Sequence, residues 1–87
     1  MYRVRMLRPA TRDLCRLDAP TARRIVERLN WLVANVGSTR HEALAGDLAG
    51  FLKLRVGDYR VVCELLDDER TILVHAIDHR RRIYRER

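Results

Sequence analysis

Lys53, Arg55 and Arg60 are the residues of this chain whose types and spacing best suit chemistry. They lie in the string KLRVGDYR, residues Lys53 to Arg60. Gly57-Asp58 in its middle is a two-residue hairpin signal between two β-rich runs. Closing that turn pairs Val56 with Tyr59, Arg55 with Arg60, Leu54 with Val61 and Lys53 with Val62. Side chains alternate along a strand, and directly paired residues share a face. Leu52, Leu54, Val56, Tyr59, Val61 and Cys63 then point one way, and Lys53, Arg55 and Arg60 the other. Like charges set opposite each other, as Arg55 and Arg60 are here, are unfavourable in an isolated sheet. The pattern therefore anticipates an anion on that face. Arginine's planar, permanently charged fork suits phosphate. A lysine can release its proton where neighbouring cations disfavour its charged form, which makes Lys53 the candidate base. The plain alternative is a solvated basic face that offsets the acidic turns.

The elements that must position these residues follow from the rest of the pattern. Tyr2 to Leu7 alternates and predicts a short strand. Arg8-Pro9 opens a helix to about Leu17, with proline at a tolerated first-turn position and Leu14 and Leu17 as its apolar contacts. Asp18 to Thr21 is a break, and Pro20 starts a second helix. Ala22, Ile25, Leu29, Leu32, Val33 and Val36 recur at the helical period, and Gly37 is a stop signal. Trp31 lies at the edge of that apolar stripe and reads as a packing residue. Ser38 to Gly50 reads as a loop anchored by Leu44 and Leu48. Strands follow at Phe51 to Val56, Tyr59 to Leu66 and Thr71 to Asp78, with Asp67-Asp68-Glu69-Arg70 as the second turn. Pairing Leu66 with Thr71 keeps Ile72, Val74 and Ala76 on the core face and sends His75 and Ile77 to the cationic face. The order is β-α-α-β-β-β: an α+β domain with an antiparallel sheet and a helical hairpin on one face.

The 87 residues allow one small domain, 1–87. At 47% hydrophobic and 34% charged, the composition is that of a globular chain. The net charge is +6, carried by seventeen arginines and the single Lys53. No apolar run reaches membrane-span length, and the start, MYRVRMLRPA, has no apolar signal-peptide core. Cys15 and Cys63 have no metal-ligand spacing and read as reduced, packed thiols. The expectation is a cytoplasmic protein with no membrane association.

Nearly the whole chain resembles the RelE/ParE superfamily of bacterial toxin–antitoxin toxins. The resemblance rests on the β-α-α start, Leu44-x-Gly46 followed by Gly50, KLRVGDYR, and a closing HR…Y at His79, Arg80 and Tyr84. It implies a type II toxin held inactive by a cognate antitoxin in a hetero-oligomer. The RelE branch is implied to be a ribonuclease that cuts mRNA in the ribosomal A site, and the ParE branch to poison DNA gyrase. Carried over by position, the RelE-like catalytic cluster falls on Lys53, Arg55, Arg60, Arg80 and Tyr84. Arg81 and Arg82 adjoin Arg80 and, with His75 and His79, are candidate RNA contacts. RelE-type enzymes often carry a further lysine two positions before the one matched by Lys53; here that residue is Phe51.

RNA can be cut internally by its own 2′-hydroxyl. The enzyme must remove that proton, stabilise the crowded phosphorus and protonate the leaving 5′-oxygen. General acid–base groups contribute on the order of 10²–10⁴-fold, and preorganised cations are commonly the largest contribution. Arg55 and Arg60 are natural phosphate clamps, and Tyr84 can share the base role or stack on a base. No carboxylate pair or metal-ligand cluster stands out, so neither metal nor cofactor is expected. Two other functions fit parts of the pattern. A ParE-like gyrase inhibitor needs this fold without the cluster, and a non-catalytic RNA- or ribosome-binding module needs only the positive charge.

Overall fold

The structure, a computed structural model, describes residues 2–36 and 51–79. Strand β1 (Arg3–Met6) leads into helix α1 (Arg8–Cys15) and helix α2 (Ala19–Ala34). Strands β2 (Phe51–Val56), β3 (Tyr59–Leu66) and β4 (Thr71–His79) follow, with a 3-10 turn over Asp67–Glu69. Proline stands in the first turn of both helices, where its missing N–H leaves no helix bond unmade. Asp18 caps α2: its carboxylate accepts from the Thr21 N–H at 3.2 Å and from the Thr21 hydroxyl at 2.8 Å. The hydroxyl bond first, then the backbone bond, hold the Asp18 carboxyl below its ordinary range.

The sheet order is β1-β4-β3-β2. The β2–β3 hairpin forms in the register expected from Gly57-Asp58, with Arg55 opposite Arg60 and Lys53 opposite Val62. Gly57 takes φ +59°, the left-handed conformation such a tight turn requires and glycine adopts without strain. Leu66 pairs with Thr71 as expected. The expectation of a wholly antiparallel sheet needs correcting, because β1 runs parallel to β4, with Arg3 opposite Thr71 and Met6 opposite Val74. Two helices separate β1 at one edge from β2 at the other. A long helical connection permits a parallel pair where a hairpin does not.

A second correction concerns β4. Val62 faces Ala76 and Cys63 faces Val74, which leaves His75 as an extra residue in a β-bulge. A bulge of this kind resets the alternation beyond it. Ile77 is therefore in the core at 2% exposure, not on the cationic face, and Ala76 stands opposite Val62 on the outer side.

Both helices pack on one face of the sheet. Ala10 of α1 and Ile25, Leu29 and Leu32 of α2 meet Leu54, Val61, Cys63, Ile72, Val74 and Ile77 in a single cluster. Strand β1 ends opposite Val74, and beyond it the Ile77 N–H donates to the Asp13 carboxylate of α1 at 3.2 Å. Burial pushes the Cys63 thiol up to about 12. Cys15, expected to be packed, is exposed. So is Trp31: it lies outside the core, with the Arg28 guanidinium 4.3 Å from its ring centroid. None of the described helices is long and apolar enough to cross a membrane.

Candidate functional site

The face of the sheet opposite the two helices gathers the charges. Lys53 and Arg55 of β2 and Arg3 and Arg5 of β1 are exposed. In register, Arg55 faces Arg60, which faces Asp78; Lys53 faces Val62, which faces Ala76. The hairpin thus brings Lys53, Arg55 and Arg60 to one side. Their dispositions differ, however. Arg60 is only 7% exposed. Its guanidinium folds back on its own hairpin and donates to the carbonyls of Tyr59 at 3.0 Å and Gly57 at 3.3 Å. Those carbonyls turn the negative ends of their dipoles towards the buried guanidinium. An exposed Arg55 and a buried Arg60, the latter held to the turn carbonyls, share one register position.

Arg55 also reaches the sheet edge. With Val56 it lines a shallow groove of about 260 Å³, completed by Arg24, Glu27, Arg28 and Trp31 of α2. A Cβ added to Gly57 would lie 3.7 Å from Nη1 of Arg24. Arg24 and Arg28 therefore extend the positive surface around the hairpin. Their part is not legible in the local pattern, where they simply fall on the polar side of an amphipathic helix.

The bulge separates the two histidines named from the sequence. His75 stays on the outer face, with Nε2 2.9 Å from Oε1 of Glu64 and its ring centroid 5.3 Å from that of Phe51. His79 pairs with Tyr59, its ring edge-on to the tyrosine at 5.6 Å, and Tyr59 packs against the core cluster. Arg80, Arg81, Arg82 and Tyr84 lie outside the described residues. Glu64 was missed by sequence reasoning, although Leu66 paired with Thr71 makes it a diagonal neighbour of His75 on the same face. Among the described residues no three His, Cys, Asp or Glu side chains are grouped so as to hold a metal ion.

A cationic outer face of this kind can bind a polyanion, orient a phosphodiester with Arg55 and Arg60, and offer an amine at Lys53 for proton transfer. A family model described as the ParE toxin of the type II toxin–antitoxin system, parDE, matches residues 4–84. Toxin RelG of Mycobacterium tuberculosis (strain ATCC 25618 / H37Rv) is 31% identical over 84 residues, which cover 97% of either chain. Among solved structures, the isolated E. coli RelE toxin superposes with a TM-score of 0.76 at 21% identity, over 99% of this chain and 94% of that one. A chain of the toxin–antitoxin complex RelBE2 from Mycobacterium tuberculosis superposes with a TM-score of 0.62 at 28% identity, over 90% of this chain and 96% of that one.

Proposed function

The chain belongs to the RelE/ParE superfamily as a type II toxin–antitoxin toxin, and on that premise we propose that it is an endoribonuclease that cuts mRNA in the ribosomal A site. The observation that carries this reading is the placement of Lys53, Arg55 and Arg60 on one outer face by the Gly57-Asp58 hairpin. Lys53 takes the proton of the 2′-hydroxyl. The 2′-oxygen bonds to phosphorus, the bond from phosphorus to the 5′-oxygen breaks, and the departing 5′-oxygen takes up a proton. Arg55 and Arg60 hold the non-bridging oxygens as negative charge accumulates on them. The products are a 2′,3′-cyclic phosphate and a 5′-hydroxyl. No step calls on a metal or an organic cofactor. The resemblance adds Arg80 and Tyr84 to the catalytic cluster and Arg81, Arg82, His75 and His79 to the RNA contacts.

The ribosome and its mRNA are then the targets, and the place of action is the cytoplasm. The partner is a cognate antitoxin that covers or displaces part of the basic surface. RelBE2 and an intact E. coli RelBE are themselves toxin–antitoxin complexes, and an acidic or amphipathic segment that folds on binding is the simplest neutraliser of such a face. A second reading, inhibition of DNA gyrase, draws on the ParE description of the matching family model. Induction in a bacterium followed by mapping of mRNA 5′ ends tests the choice. New ends within codons on translated messages support the ribonuclease. Intact messages with DNA damage and filamentation support the gyrase poison.

A further inference from the structure

We propose that His75, held by Glu64, is the general acid that protonates the leaving 5′-oxygen; the assignment rests on the ribonuclease reading above. Three features of the fold converge on this side chain. The β-bulge makes His75 the extra residue of β4 and keeps it on the outer face while Ile77 returns to the core. Bulges re-aim a side chain at a local cost in strand pairing and are over-represented beside active sites. The imidazole is also held on two sides. Its Nε2 lies 2.9 Å from Oε1 of Glu64, and its ring is tilted 46° against Phe51 at 5.3 Å. In the tautomer in which Nε2 donates to the Glu64 carboxylate, Nδ1 is the ring nitrogen left for substrate. Both side chains are about one-third exposed, His75 at 32% and Glu64 at 30%, so a substrate can reach them.

The third feature is position. Lys53 pairs with Val62, and Val62 with Ala76, the residue after His75. His75 and Lys53 therefore stand two strands apart on one face, about 9–10 Å between backbones. In-line displacement puts the attacking and leaving oxygens on opposite sides of phosphorus, so the base and the acid must flank the phosphate. Two strand spacings suit that arrangement, whereas neighbours on one strand would crowd one side. The proton balance closes. Lys53 takes the 2′-hydroxyl proton, imidazolium Nδ1 gives its proton to the 5′-oxygen as the bond to phosphorus breaks, and solvent restores both groups. Glu64 acts through His75 and is a positioning residue.

The test is single-turnover cleavage of a short mRNA programmed in the ribosomal A site. One substrate carries the ordinary 5′-oxygen at the scissile bond, and a second carries sulfur there, since a thiolate leaves without a proton. His75→Gln should slow the oxygen substrate about 10²-fold or more and leave the sulfur substrate near the wild-type rate. Glu64→Gln keeps the ring and should show a smaller defect in the same direction, which covers a His75→Gln protein that folds poorly. If the wild-type protein cuts but both variants cut the oxygen substrate at its rate, or lose equally on both substrates, the acid assignment is overturned while the ribonuclease reading stands. If the wild-type protein cuts neither substrate, the ribonuclease reading itself fails and the assignment falls with it.

Discussion

The Arg60 guanidinium donates to the Gly57 carbonyl, 3.3 Å away, and so ties the proposed phosphate clamp to the turn that presents it. With a second bond to Tyr59 and only 7% exposure, Arg60 belongs to the hairpin as well as to the charged face. Arg60→Ala should therefore lose stability, by roughly 1–3 kcal/mol from its charged hydrogen bonds, in addition to activity. Lys53→Ala, at an exposed position, should lose less stability than Arg60→Ala, about 1 kcal/mol at most. Urea unfolding of the two variants side by side checks this. Equal midpoints would mean that the Arg60 bonds contribute nothing in solution.

Asp13 joins α1 to β4 through the Ile77 N–H at 3.2 Å. Asp13→Ala leaves that donor without its carboxylate beside a core residue, and the expected loss is about 1–3 kcal/mol. Asp13→Asn keeps an acceptor and should lose less. Amide hydrogen exchange at Ile77 gives the local readout: it should accelerate in Asp13→Ala more than exchange at Val61 does.

Cys63 sets an alkaline limit. Its thiol is raised to about 12 by burial, from an ordinary 9.0. Above pH 9 the unfolded chain gives up the thiol proton while the folded chain keeps it. Stability from this group is thus complete below pH 9 and declines by up to about 1.4 kcal/mol per pH unit towards pH 12. Unfolding of wild type and Cys63→Ala across that range should show the extra slope in wild type alone. At neutral pH an alkylating reagent should label exposed Cys15 first and reach Cys63 only on unfolding.

A cognate antitoxin should slow hydrogen exchange over Lys53–Arg60, or change it from His79 onward, because inhibition by cover or displacement acts on those segments. Comparison of the free and bound toxin provides the check. Protection confined to β1 and the outer faces of the helices would instead point to steric exclusion from the ribosome.

Much of this arrangement was legible beforehand because it is local. Gly57-Asp58 selects a tight turn, the turn sets the register, and the register puts Lys53, Arg55 and Arg60 on one face. Ile25, Leu29 and Leu32 recur at the helical period and are buried as that period requires. What was missed depends on distant partners. No residue in Arg3–Met6 specifies a parallel neighbour, since pairing with β4 depends on where the helices return the chain. The bulge at His75 carries no glycine or proline to mark it, and it moves Ile77 from one face to the other. Trp31 has the hydrophobicity of a core residue but lies beyond the edge of the stripe, where Arg28 covers its ring. Arg60 shares its face with Lys53, yet the turn carbonyls draw it into burial.

The proposed cleavage of ribosome-bound mRNA by the outer-face cations is tested most directly with purified components. Wild-type protein and Lys53→Ala are each added to ribosomes carrying a defined mRNA, and the ends of the fragments are read chemically. Wild-type protein should cleave within the A-site codon and leave a 2′,3′-cyclic phosphate and a 5′-hydroxyl. Folded Lys53→Ala should be slower by on the order of 10²–10⁴-fold. Intact mRNA under wild-type protein that blocks supercoiling by DNA gyrase, or equal cleavage by both proteins, would contradict the proposal.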